Sequence, residues 1–155
     1  MEAWANFFVA AAGAAAALAG LLFVSVSINL TRILELPALP PRAAEALVLL
    51  LAVLMLSLLA LIPGQSTSLL GAEVAVLGVL LWVCVTLTLA RSGRPRHRVV
   101  MRLLMNQLPP ILFVAAGVLL YCGHPAGLYW LVPATLLAIA TGVLGAWVLL
   151  IEILR

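Results

Sequence analysis

The amino-acid sequence predicts an all-α fold: a polytopic transmembrane helical bundle of five spans, N-terminus outside and C-terminus inside. Composition is the first reason. Of 155 residues, 66% are hydrophobic and only 8% charged, and the mean hydropathy is +1.31. Soluble domains run near half apolar and about a quarter charged. A disordered chain is excluded too, because this one has ample apolar surface to bury. The second reason is charge spacing: uncharged runs cover 3–31, 46–72, 74–90 and 103–151. The third is that all eight cationic side chains are arginine and segregate to one side when five spans are drawn. The length suits one domain, 1–155.

Each span follows from a run. A helix needs roughly 20 apolar residues to cross about 30 Å of hydrocarbon. The first run gives a span over 4–29. It is read as a span and not a cleaved leader, because a leader needs a positive n-region and the only early charge is Glu2. Leu30 to Leu36 then reads as a short interfacial helix with Arg32 and Glu35 among apolar residues, followed by a turn stiffened by Pro37, Pro40 and Pro41. The second span covers 44–62, with Glu45 in its first turn suiting the helix dipole. Ile62-Pro63-Gly64-Gln65 is a turn, and the third span covers 71–90 with Glu73 near its start. The final 49-residue run is too long for one helix; Gly123-His124-Pro125-Ala126-Gly127 divides it into spans over 103–122 and 128–152.

Cytoplasmic segments carry the excess of Lys and Arg. Arg32 and Arg42 lie in the 30–43 segment, Arg91, Arg94, Arg96, Arg98 and Arg102 in the 91–102 segment, and Arg155 at the C-terminus. All of these fall inside. Trp4, Phe7, Phe8, Tyr121, Tyr129 and Trp130 fall at the outer interface, where amphipathic rings settle. Ala/Leu/Val/Arg usage points to a high-GC bacterial genome, which makes the expected location a bacterial inner membrane.

Two small-residue stripes mark packing seams. Gly13, Ala17 and Gly20 lie on the first helix, within a seven-residue series from Asn6 to Ser27; Gly142 and Gly145 lie on the last, with Ala138 and Ala146. Such stripes are read first as packing within the five-helix bundle, and as an alternative one of them faces another subunit, a homo-oligomer or a membrane-protein partner.

Chemistry is sparse. Cys84 and Cys122 differ in depth by roughly 20 Å at 1.5 Å per residue, too far for a disulfide. His97 lies inside and His124 outside, so no metal site is expected, and neither is a cofactor. A chain without aspartate holds no Ser-His-Asp set, and no catalytic residue is assigned. Arg94-Pro95-Arg96 resembles a minor-groove hook. Its tether to the membrane at both ends argues against nucleic acid. Anionic headgroups are the expected contact of Arg91, Arg94, Arg96, Arg98 and Arg102.

No ionisable residue lies at mid-membrane, which weighs against proton-driven transporters and voltage sensors. A polar band remains at the inner level: Ser25 and Asn29 four apart on the first helix, then Asn106 and Gln107 just before Pro109 and Pro110. Two adjacent prolines remove two backbone donors, so the fourth span is expected to kink or to begin there. The polar band then either satisfies the freed carbonyls, linking helices one and four, or forms a small-solute site. Glu45, Arg32 and Glu152 share this level.

Residues 13–30, together with Leu39-Pro40-Pro41-Arg42-Ala43-Ala44-Glu45, Ile62-Pro63-Gly64-Gln65 and Gly71-Ala72-Glu73, resemble a group of small bacterial membrane proteins. Some of that group are labelled "modulator of FtsH protease". The resemblance implies a multi-pass membrane protein and supplies no functional residues. The sequence therefore points to a non-enzymatic regulator or small subunit acting through helix–helix contacts. The alternative is a homo-oligomeric channel or small-solute carrier using the polar band.

Overall fold

The computed structural model describes residues 2–36, 39–90 and 96–153, and these form six helices. They are α1 (Glu2–Ile28), α2 (Leu30–Glu35), α3 (Leu39–Ala60), α4 (Thr67–Ala90), α5 (Arg96–Tyr121) and α6 (Ala126–Ile153). Four of them are long and apolar enough to cross a membrane: Trp4–Ile28 of α1, Leu39–Ala60 of α3, Thr67–Thr88 of α4 and Ala126–Glu152 of α6. The apolar part of α5, Asn106–Tyr121, is shorter.

The helices alternate in direction. Trp4 and Tyr129, near the starts of α1 and α6, meet edge to face with centroids 5.0 Å apart. Arg42 near the start of α3 pairs with Glu152 near the end of α6. A Cβ at Gly71 near the start of α4 would lie 2.3 Å from the Tyr121 nitrogen at the end of α5. α3, α4, α5 and α6 form a closed ring, each packing on the next and α6 returning to α3. α1 leans on this ring from outside, against α3 and, less, α6. Burial sets α3 apart: 56% of its most apolar window is buried, against 28% in α1, 33% in α4 and 28% in α6.

The ring closes tightly where glycine removes a side chain. A Cβ at Gly117 would lie 2.4 Å from the Ala75 nitrogen, and one at Gly78 2.8 Å from the Val114 nitrogen. Gly127 brings α6 onto Leu120 and Ala116. Phe113, Leu120, Leu131, Val53, Leu56, Leu70 and Val74 fill the enclosed core. A second cluster of Leu22, Ile33, Leu39, Ala46, Leu50 and Leu149 seals the end where α2 sits, with Ile33 as its plug.

Several expectations change. α3 begins at Leu39, not near 44, because Pro40 and Pro41 occupy its first turn, where a missing N–H has no partner to lose. Glu45 is thus one turn further into α3 and buried, and does not sit at the dipole end. α4 starts at Thr67, where the Ser66 hydroxyl accepts the Leu69 N–H at 3.2 Å, so Glu73 also lies beyond the first turn. It accepts a hydrogen bond from Gln65 Nε2 instead. α5 runs continuously through Pro109 and Pro110 and does not begin at them. The carbonyls of residues 105 and 106 lose their helical donors there. Phe8 turns into the core, while Trp4 and Phe7 stay with Tyr129 at the bundle end.

Candidate functional site

α3 packs against α1, α4 and α6, so 56% of its most apolar window is buried, and its charged first turns are buried with it, while Leu51, Met55 and Leu58 stay on an open face. Arg42, Glu45 and Ala46 stand at i, i+3 and i+4 on the face that continues through Leu49, Val53 and Leu56. A charge carried into that position needs a partner. Arg42 is 8% exposed, and its Nη1 donates to Glu152 Oε2 of α6. Glu45 is 7% exposed, and its Oε1 accepts from Asn106 Nδ2 of α5, itself 8% exposed. One polar cluster therefore ties α3, α5 and α6 together at the end where α3 starts and α6 finishes.

Arg96, Arg98 and Arg102 fall in α5 ahead of Asn106. Arg91 and Arg94 lie outside the described residues. The arrangement can hold helices in register and concentrate charge in a low-dielectric pocket. Among the described residues, no group of three His, Cys, Asp or Glu could hold a metal.

The inner polar band does not assemble into one site. Asn29 Nδ2 donates to the Ser25 backbone carbonyl at 2.9 Å, a local contact four residues apart at the end of α1. Asn106 turns to Glu45, and Gln107 Nε2 donates to Thr86 Oγ1 of α4 at 2.8 Å. α1 packs on α3 and α6 while Asn106 and Gln107 sit on α5, so helix one and the fourth span are not joined by these residues. Sequence reasoning set Glu45 and Glu152 at one level, with Arg32, but passed over Arg42 and both pairings, which depend on how α3, α5 and α6 pack.

The two small-residue stripes part company. On α6, a Cβ at Gly142 would come within 3.2 Å of Leu50, and one at Gly145 within 3.4 Å of Ala46, so this stripe packs on α3. On α1 the inward face is Phe8, Ala11, Ala15, Ala19 and Leu22. Gly13, Ala17 and Gly20 face outward, and a Cβ at Gly13 or Gly20 would meet nothing within 4 Å.

No protein-family model, curated protein or solved structure matches the chain.

Proposed function

We propose that this is a non-enzymatic, multi-pass membrane protein that acts as a regulator or small subunit by docking another transmembrane helix on α1. The observation that carries this reading is the outward stripe of Gly13, Ala17 and Gly20 on the peripheral helix, alongside an inward stripe on α6 already used by α3. Without a hydrophobic drive between helices in lipid, close backbone approach over small residues is what brings them together. The polar cluster of Arg42, Glu45, Asn106 and Glu152 then holds the ring rigid behind α1. In this reading five helices cross the membrane, the arginines face the cytoplasm of a bacterial cell, and the N-terminus is outside. The resemblance of the first half to proteins labelled modulators of FtsH protease makes a membrane-anchored protease the first partner to probe.

The carrier reading draws less support. The inner polar residues pair off separately, and the grooves among the described residues have apolar linings, such as Leu51, Met55, Leu77 and Leu80 between α3 and α4.

The test is cross-linking in native membranes from a single cysteine placed at Ala17, with Cys84 and Cys122 changed to serine. A product with one other membrane protein, lost with Gly13→Leu and Gly20→Leu, is the expected result. A product the size of two copies would move the reading to a homo-oligomer. Absence of any product, with cell behaviour unchanged by the leucine variants, would remove it.

A further inference from the structure

We infer that Ser57 of α3 and Thr135 of α6 hold one water molecule between them, a buried polar joint in the half of the α3–α6 seam away from Arg42. The inference goes beyond the α1 contact and does not depend on it. Both side chains are sealed, Ser57 at 0% and Thr135 at 1% exposed, and neither hydroxyl has a hydrogen-bond partner among the described residues. Other hydroxyls of this chain turn back on their own helix. Ser27 Oγ donates to the Phe23 carbonyl at 2.8 Å, Thr86 Oγ1 to that of Trp82 at 2.7 Å and Thr88 Oγ1 to that of Val85 at 2.8 Å. Ser57 and Thr135 make no such back-bond, so their partner has to come from across the seam.

Helix periodicity brings the two to one level. Gly142 and Gly145 of α6 meet Leu50 and Ala46 of α3, which sets the antiparallel register. Ser57 follows Leu50 by seven residues and Thr135 precedes Gly142 by seven, two turns along the same face of each helix. Two turns from a shared contact, antiparallel helices again present facing residues at one depth. The surroundings are apolar: Val53, Leu56, Ala60, Leu131, Ala134 and Ala138 are all buried. The buried Arg42, Glu45 and Asn106 belong to the other end of the bundle, and even Glu45 stands three turns of α3, about 18 Å, from Ser57. A buried hydroxyl left unpaired costs more than a bond contributes. Two that face each other without bonding directly leave the spacing that a water bridges. A buried water needs roughly two to four partners. Each hydroxyl can donate and accept, and the Val53 and Leu131 carbonyls, four residues earlier, keep a second lone pair at that level.

Two measurements on the full chain test the site. A double-mutant cycle of unfolding in mixed micelles compares Ser57→Ala, Thr135→Val and the double variant, replacements close enough in size to keep the fold. Each single change is expected to raise the unfolding constant about tenfold, because it orphans the remaining hydroxyl. The double variant should unfold no more readily than either single one, since the second change removes the orphan. An additive change of about a hundredfold, or no change in either single variant, would overturn a shared site. Diffraction from lipid-phase crystals of the unmodified chain then separates water from direct contact. Density about 2.8 Å from both oxygens is the expected result. Oxygens bonded directly to each other, or each to its own helix, would overturn the water.

Discussion

Arg42 is the residue on which most of the interior chemistry turns. Its side chain is buried where α3, α5 and α6 converge, and Glu152 Oε2 accepts from its Nη1. Removing one partner of a buried pair leaves the other charge desolvated, which costs more than the pair itself contributes. Arg42→Met is therefore expected to lower unfolding free energy by about 2 kcal/mol, less than the full buried-pair penalty because Glu152 is partly exposed. Arg42→Met/Glu152→Met should recover part of that loss, and a double-mutant cycle of unfolding in mixed micelles measures it. Additive losses would show that the two side chains do not act as a pair. The sequence put Glu152 at one level with Glu45 and Arg32 but did not reveal its meeting with Arg42. Glu45 lay only three residues from Arg42, at a spacing common to any helix start. Its link to Asn106 spans 61 positions and depends on the ring closing.

At the scale of elements, the helices were legible because charge and Gly/Pro punctuation bound them, and each sequence span overlaps one long helix, although α3 and α5 begin five and seven residues earlier than their spans. Helix faces were less so. In an alanine-rich segment, Gly13-Ala17-Gly20 and Ala11-Ala15-Ala19 offer equally good small-residue seams, and only α3 decides that the second is used. Pro109 and Pro110 left a kink and a helix start both open, and of these the start is excluded, since α5 runs through them despite the lost donors. Glycine substitution separates the used seam from the free one. Gly117→Ala forces a Cβ against the backbone of Ala75 and should cost about 2 kcal/mol through overpacking. Gly13→Ala and Gly20→Ala meet no neighbour and should each stabilise the isolated chain by about 0.5–1 kcal/mol through helix propensity. Chemical unfolding of the purified chain checks both signs. Destabilisation at Gly13 in the isolated chain would mean that its outward face is already in use.

For the whole molecule the open question is whether α5 crosses, since its apolar part is the shortest of the five. Its seam with α4 runs from Gly71–Tyr121 to Thr86–Gln107, 15 residues of α4 and so about 22 Å of helix. A helix paired over that distance with a neighbour long and apolar enough to span has little room to turn back. Crossing fixes the parity of the fold: residue 92 and Cys122 then lie on opposite sides, and so do the two ends of the chain. Cys122 is exposed just past the end of α5, which provides a native probe. With Cys84 changed to serine, an impermeant maleimide applied to intact cells is expected to label Cys122. A cysteine placed at Ser92 in the same background, with Cys122 also replaced, should react only after permeabilisation. If both positions react from the same side, α5 does not cross. The chain would then have an even number of spans, and the segregation of its arginines would need another cause.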